Sequence, residues 1–426
     1  MQIERLYQIY LQYPKVQTDT RKITSGEIFF ALKGERFNGN LFAEKALEAG
    51  AAFAVVDEAP QMKDDRIILV EDVLHTLQQL ALHHRRQFNI PVIAITGSNG
   101  KTTTKELIHA VLSSRFRTHT TRGNLNNHIG IPLTLLEMQK GTEMAVIEMG
   151  ANHQQEIASY CRYVEPTHGI ITNCGKAHLE GFGGIEGVRK GKGELYDYLR
   201  SHDGITFLMR DYDYLREMSR GIRRIVTYGT SDADLTGKTL QSEPFLNVGI
   251  DGAPQKMIRT RLVGDYNLPN VLVAVTVGRH FKVPDDDIIR MIESYQPSNS
   301  RSQMVVRNGN HIILDAYNAN PTSMRAAIEN LGRQAHEKKI VMIGGMMELG
   351  VESIGEHEGI IRLLQQYQWE RVILVGGDFE KVEHPYTYFG DSEVAAQWIR
   401  QHPVSDAWIL VKGSRSMQME KVMESL

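Results

Sequence analysis

The residues of this chain with the clearest chemical potential are Thr96-Gly97-Ser98-Asn99-Gly100-Lys101-Thr102-Thr103-Thr104, which follow the apolar run Val92-Ile93-Ala94-Ile95. A triphosphate needs that order. Gly97 and Gly100 let the backbone N–H groups of the turn, those of Ser98 and Asn99 included, point inward at anionic oxygens. The N-terminus of the following helix favours negative charge. Lys101 reaches the terminal phosphates, and Thr102, with Thr103 beside it, brings a hydroxyl for Mg²⁺. The spacing is shorter than in the general phosphate-binding loop, because the leading glycine of G-x-x-x-x-G-K-T falls on Ile95. An accidental Gly-Lys-Thr in a surface loop is the alternative, and the apolar strand before it and the helical segment after it count against that.

Further candidates stand at the ends of apolar runs. Met144-Ala145-Val146-Ile147 closes on Glu148. In an open α/β sheet that end faces the ligand, so Glu148 is a candidate Mg²⁺ ligand beside Thr102. Its plain reading is the first exposed residue after a buried strand. Ile171-Thr172-Asn173 leads through a polar turn to His178, which can accept a metal, orient a phosphate, or stand as a solvated loop histidine. Arg189-Lys190-Gly191-Lys192-Gly193-Glu194 reads, taken alone, as a solvated charge cluster. The loop from Arg122 to Pro132 is rich in amides, Asn126 and Asn127 among them, and can hydrogen-bond a sugar or phosphate or serve as turn material. Asp315 ends another strand and can accept from ribose hydroxyls. Asn318 and Asn320 in the turn after it can position a polar substrate, although all three are also ordinary turn formers.

The elements that must position these groups fall into three sections. Residues up to 88 form a small α/β unit, with a strand at Ile28–Leu32, the turn-rich run Lys33-Gly34-Glu35-Arg36-Phe37-Asn38-Gly39-Asn40, and a closing helix over Asp72–Phe88. Residues 89–297 carry the phosphate loop. Strand patterns at Val92–Thr96, Met144–Glu148, Gly169–Thr172 and Gly204–Met209 alternate with helices, which predicts a parallel sheet with ligands at the carboxyl ends of its strands. A β-rich insert spans about 223–261, and the turn-like stretch at 296–300 reads as a linker. Residues 298–426 alternate again, with strands near His311–Leu314, Ile340–Ile343, Val372–Val375 and Trp408–Val411, as in a dinucleotide-type (Rossmann-like) sheet but without G-x-G-x-x-G. The fold class is α/β in three domains.

Composition sets the class of partner. The 426 residues suit about three domains, and 48 Lys and Arg against 51 Asp and Glu give a net charge of -3. That balance argues against a non-specific nucleic-acid or anionic-membrane binder. Cys161 and Cys174 lack metal-type spacing and read as free thiols of a reducing compartment. The start of the chain, from Met1 to Lys15, has no secretory h-region, and no apolar run reaches membrane-spanning length, so a cytoplasmic protein is expected. No Asn-Lys-x-Asp guanine motif occurs.

Several of these motifs occur together in one known family. Thr96 through Thr102, the Glu148 strand, Asn173 through His178, Lys192-Gly193-Glu194, Gly264-Asp265-Tyr266-Asn267 with Asn270, Arg301 and the Asp315 strand resemble the Mur ligases of peptidoglycan synthesis. Asp19-Thr20-Arg21, Phe37-Asn38-Gly39, Asn124 through Pro132, Glu148 through Asn152, Asn318 through Pro321 and Gly345 through Gly350 resemble one branch of it. That branch adds D-alanyl-D-alanine to UDP-N-acetylmuramoyl-tripeptide. Asp265-Tyr266 stand where the family more often has a histidine before the asparagine, and Gly345 replaces the usual Asp before Met346.

The resemblance implies an ATP-dependent, ADP-forming ligase working through an acyl phosphate, with Lys101 on the β- and γ-phosphates. Thr102 and Glu148 would hold one Mg²⁺. Lys192, carbamylated by CO₂, would hold a second with His178, and Asn270, Arg301 and Asp315 would close over the nucleotide. The N-terminal section, with Thr20, Arg21 and Asn38, would bind the UDP-sugar peptide, the central section ATP, and the C-terminal section the dipeptide. A monomer is expected. A folylpolyglutamate-type ligase and a nucleotide-gated binding protein without synthetic chemistry are the alternatives.

Overall fold

The computed structural model describes residues 2–35, 37–59, 63–252, 256–298 and 300–426. Met1, Arg36 of the turn-rich run and Asn299 of the linker lie outside the described residues. Three main sheets follow one another along the chain. The first has four parallel strands in the order Val16–Gln17, Ile28–Phe30, Phe53–Val56, Ile67–Leu69. Lys33–Gly34 and Phe37–Asn38 pair beside it as a small antiparallel hairpin.

The central sheet has nine strands, and its middle is built from runs buried on both faces. Val92–Thr96 and Met144–Glu148 are buried at every position, as strands covered by helices on both sides must be. Their neighbours run outward through His168–Ile171, Ile205–Met209 and Arg224–Gly229 on one side and Thr118–Thr120 on the other, all parallel. The β-rich insert is not a separate body. Leu235–Gln241 joins the sheet parallel to Arg224–Gly229, and Asn247–Ile250 and Lys256–Arg259 extend it antiparallel. Short local connections make the antiparallel pairing of the last two strands possible, whereas the parallel strands at the middle of the sheet are joined by long crossovers.

The C-terminal sheet runs Gln303–Arg307, Asn310–Asp315, Trp408–Lys412, Lys339–Gly344, Arg371–Val375, Thr387–Phe389, and only its first pair is antiparallel. The predicted strands at 311–314, 340–343, 372–375 and 408–411 are its four central members. The edge strands Gln303–Arg307 and Thr387–Phe389 escaped the sequence pattern because none of their positions is fully buried, so they lack the continuous buried run of the central members.

Helix ends follow side-chain capping. The Asp72 side chain accepts from the His75 N–H at 2.6 Å and starts helix Val73–Arg85. Asn320 and Ser323 form a capping box, with Pro321 in the first turn, at the head of helix Pro321–Gly332. Helix Leu268–His280 is apolar nearly all round and lies buried against helix Lys101–Ser113 and the central sheet. One apolar core runs from Leu6 and Leu77 through the central sheet to Leu331 and Leu364, so the N-terminal unit is seated on the central one.

Arg85 fastens that seat. Its buried guanidinium donates to the carbonyls of Val164 at 2.9 Å, Phe88 at 2.7 Å and Glu165 at 3.1 Å. Arg85→Ala strands three carbonyl acceptors and should cost about 2–4 kcal/mol, since hydrogen bonds to a charged group are worth more than neutral ones. Arg86→Ala, which removes only an exposed pair with Glu165, should cost about 0–1 kcal/mol. Thermal unfolding followed by circular dichroism distinguishes them, and equal melts for the two variants would refute the clamp.

Candidate active site

The loop at 97–102 lies at the carboxyl end of Val92–Thr96, flanked by the strands ending in Glu148 and Ile171. The chain leaves this strand toward one side of the sheet and later returns on the other, which opens a crevice at the strand tips. Gly100 caps helix Lys101–Ser113 at φ 79, in the left-handed region that glycine adopts without strain. Gly97 has no room for a side chain: a Cβ there would lie 2.0 Å from Thr172 Oγ1.

Neighbouring strands hold the loop from beneath. Thr172 Oγ1 donates to the Asn99 carbonyl at 2.6 Å and Asn173 Nδ2 to the same oxygen at 3.1 Å. The expectation that the Ser98 and Asn99 N–H groups point inward fails, because the neighbouring strand end supplies acceptors. They donate to the Asn173 carbonyl at 2.9 Å and to Asn173 Oδ1 at 3.0 Å, while Ser98 Oγ donates to the Gly175 carbonyl at 2.9 Å. Asn270 is buried in helix Leu268–His280, where its Oδ1 accepts from Thr104 Oγ1 at 3.0 Å and its Nδ2 donates to Asn267 Oδ1 at 2.8 Å. The described bonds of Asn270 thus brace the phosphate loop, and Asn270 also lines the cavity.

Lys101 is the first residue of the helix and partly buried. Its ammonium folds back onto the carbonyls of Gly97 at 2.6 Å and Ser98 at 3.2 Å. Burial pulls that ammonium below its ordinary value; Glu148 opposes the shift and Arg301 adds to it. The plain reading of Glu148, an exposed strand end, fails: it is 1% exposed. Its oxygens accept from Thr102 Oγ1 at 2.9 Å and Asn126 Nδ2 at 2.8 Å. Asn127 instead uses its Oδ1 on the N–H groups of Ile129 and Gly130, as a turn former.

Lys192 does not sit on a solvated face. It is 1% exposed on helix Ile185–Ser201, with its Nζ 2.9 Å from the Ala151 carbonyl and 4.8 Å from the centre of the Phe182 ring. Burial, and after it the charge of Lys101, push the ammonium down to about 7. The pattern of charges around Lys192 in the sequence hid this, because Gly191 and Gly193 on either side reveal nothing about which way the lysine turns. Gly191 lies against Phe182, where a Cβ would come within 2.4 Å of the ring.

The C-terminal sheet closes over the crevice. Asn320 Nδ2 donates to Asn99 Oδ1 at 2.7 Å, and the Lys176 N–H to Thr322 Oγ1 at 3.0 Å. His178, at φ 53, is paired with Glu348, whose carboxyl is held below its usual value chiefly by that bond. Between the two sections lies a cavity of about 1000 Å³ lined by Lys101, Thr102, Glu148, His178, Asp315 and Asn318, with Ser98, Asn99, Gly100, Thr103, Asn126, Asn127, Asn270 and Arg301 also on its walls. Thr20, Arg21 and Asn38 are elsewhere. Arg21 pairs with Asp19 and Asn38 with Glu58, all within the N-terminal unit.

Two residues of this wall went unread in the sequence. Lys412 is 1% exposed and bonds Asp315 Oδ2 at 2.6 Å and the Asn318 carbonyl at 3.1 Å, so it sets both groups. A lysine ending the apolar strand Trp408–Lys412 is the same signal that marked Glu148. Tyr317 carries the Arg301 guanidinium on its ring at 3.6 Å, and nothing in its local sequence foretold that stacking.

Three family models match the chain. The one described as Mur ligase family, catalytic domain, covers residues 12–93; Mur ligase middle domain covers 95–278; and Mur ligase, glutamate ligase domain, covers 300–415. The UDP-N-acetylmuramoyl-tripeptide--D-alanyl-D-alanine ligase of Bacillus subtilis (strain 168) is 34% identical, over 96% of this chain and 92% of that protein. A crystal structure of MurF from Acinetobacter baumannii superposes with a TM-score of 0.87 at 33% identity, over 97% of this chain and 93% of the other. MurF ligase from Thermotoga maritima, in complex with ADP, gives 0.87 at 28% identity, over 97% of both chains.

The loop geometry makes a sharp expectation. Gly100→Ala places a Cβ 2.7 Å from Asn270 Oδ1 and holds alanine at φ 79, a conformation costing about 1–2 kcal/mol. Binding of a non-hydrolysable ATP analogue, measured by calorimetry, should weaken about tenfold or more. Gly123→Ala, at φ 54 in open space, carries the backbone strain alone and should leave that affinity unchanged. Equal affinities in the two variants would contradict the bracing of the loop by Asn270.

Proposed function

The chain belongs to the Mur ligase family, and from that premise we propose that it joins D-alanyl-D-alanine to UDP-N-acetylmuramoyl-tripeptide at the expense of ATP, releasing ADP and phosphate. One observation carries the reading: the phosphate loop and the asparagine turn at 318–320 face each other across a single cavity, on two sections that touch through Asn99 and Asn320. Nucleotide held on one wall is thereby presented to an acceptor held on the other. In this reading residues 1–88, with Thr20, Arg21 and Asn38, bind the UDP-sugar peptide. Residues 89–297 bind ATP and residues 298–426 the dipeptide. The enzyme works as a cytoplasmic monomer; among the described residues no helix is long and apolar enough to cross a membrane.

The chemistry begins with the peptide's terminal carboxylate attacking the γ-phosphate, giving an acyl phosphate and ADP. Two anions must meet, and one such charge pair at about 4 Å costs about 4 kcal/mol at an effective dielectric near 20. Lys101 and the N–H groups at the head of helix Lys101–Ser113 offset that repulsion. The dipeptide amine then attacks the acyl carbon and phosphate leaves. An α-amino group titrates near about 7.7–8.0, so a useful fraction is neutral near neutral pH and no strongly perturbed base is required.

The donor set suits Mg²⁺. Thr102 and Glu148 already meet at 2.9 Å. Among the described residues no three His, Cys, Asp or Glu side chains cluster to cage a metal. Mg²⁺ prefers that situation: one or two carboxylates, with phosphate and water completing the shell. Lys192 suits carbamylation, because a buried amine with no carboxylate partner among the described residues and an ammonium pushed down to about 7 is in large part neutral and nucleophilic. Its nitrogen adds to CO₂ and releases a proton, replacing a cation that would repel a metal by an anion that binds one. Two Mg²⁺, one on Thr102 and Glu148 and one on His178 and the Lys192 carbamate, would supply the remaining positive charge.

ADP release should require both UDP-muramoyl-tripeptide and D-alanyl-D-alanine, followed in a coupled assay; release with nucleotide alone would point to a binding protein instead. Lys101→Ala should abolish ligation, by about 10²-fold or more, and keep its circular dichroism spectrum. Global unfolding would mark Lys101 as a structural lysine. Lys192→Ala should lose activity as severely, yet regain part of it with rising acetate or formate, not with chloride. Near wild-type activity without added acid would refute the carbamate.

A further inference from the structure

The C-terminal section must hold a zwitterion: its amine reacts, and its carboxylate has to be anchored away from the anions already gathered at the phosphate loop. Cations at the cavity-facing end of this sheet are few. Lys412 is buried and engaged by Asp315 and the Asn318 carbonyl, and Lys176, reaching in from the central section, is paired with Glu356. Arg301 lines the cavity together with Lys101, and the ligase reading gives it to the nucleotide. Arg415 remains.

Arg415 starts the short helical turn Arg415–Met417, three residues beyond the end of strand Trp408–Lys412, at the carboxyl edge where parallel sheets take their ligands. It is exposed, and its guanidinium forms no ion pair and no side-chain hydrogen bond among the described residues. Its Cζ lies 5.5 Å from the centre of the Tyr317 ring, the same ring that carries Arg301 at 3.6 Å. Tyr317 lines the cavity. One aromatic ring therefore lies against two guanidiniums, that of Arg301 on the cavity wall and that of Arg415, whose five donors meet no acceptor among the described residues. A planar fork of that kind matches a carboxylate with two parallel hydrogen bonds.

We propose that Arg415 is the anchor for the free carboxylate of the incoming dipeptide, held in orientation by the nearby Tyr317 ring. The inference rests on the ligase reading above and names the group that selects its acceptor. An acceptor with a terminal carboxylate is retained, and one whose carboxylate is capped is rejected.

The test compares D-alanyl-D-alanine with its C-terminal amide in steady-state ligation by the full-length enzyme. Wild type should prefer the acid by about 10- to 100-fold in kcat/KM, the range for loss of a hydrogen bond between charged groups. Arg415→Ala should raise KM for the acid by a similar factor, leave KM for ATP unchanged, and treat acid and amide alike. Arg415→Lys should recover part of the preference, and Tyr317→Leu should weaken it. Thermal melting would confirm that each variant is folded. Equal use of acid and amide by the wild type would overturn the proposal, as would an Arg415→Ala variant that keeps the preference. A rise in KM for ATP instead would assign Arg415 to the nucleotide and also overturn it. Failure of the wild type to release ADP with either acceptor would sink the ligase reading itself, an outcome distinct from lost discrimination.

Discussion

The clasp around residues 97–102 is the constraint on which the rest of the site depends. The N–H groups of Ser98 and Asn99 are taken by Asn173, so the shape of the loop is imposed from outside. Here Thr172 and Asn173 grip the Asn99 carbonyl, while Asn270, braced on Thr104 and Asn267, fills the space beneath Gly100. The central strands Val92–Thr96 and His168–Ile171 have to be neighbours for this to happen. The sheet order, set by burial of their apolar faces, is thus also what opens the phosphate site.

Charge is managed by depth. Glu148 and Lys192 are both almost wholly removed from solvent, and burial makes the two behave differently. Glu148 is stabilised by hydroxyl and amide donors from Thr102 and Asn126. Lys192 has a single backbone acceptor among the described residues and an aromatic ring, which leaves its ammonium poorly compensated and pushed down to about 7. An amine in that condition is suited to become something other than a cation, and a surface lysine is not.

The third section contributes geometry more than charge. Asn320 caps its own helix and at the same time reaches the tip of the phosphate loop, so the turn that starts helix Pro321–Gly332 is placed by the nucleotide site. Lys412 links Asp315 to the Asn318 carbonyl, and Tyr317 between them carries Arg301. The short run from 315 to 320 is therefore locked at both ends. A ligand entering the cavity there meets a preformed surface, which lowers the ordering cost of binding.

Much of this was legible in the residues alone. Runs such as Val92–Thr96 and Ile340–Ile343 announced buried parallel strands, because helices on both faces demand continuous apolar sequence. Glycine, lysine and threonine at 97–102 announced an anion cradle, because few other residues permit that backbone and supply those groups. The motifs spread over the whole chain carried the family. What only the tertiary structure decided was depth and distant partnership. Nothing near Lys192 in sequence says that it lies under Phe182 and Ala151, nothing near Asn270 says that it sits under Gly100, and Lys412 finds Asp315 from 97 positions away. Local patterns record the period of an element and the conformational needs of its turns. The electrostatic character of a side chain depends on which remote surfaces cover it, and that is settled only when the sheets are assembled.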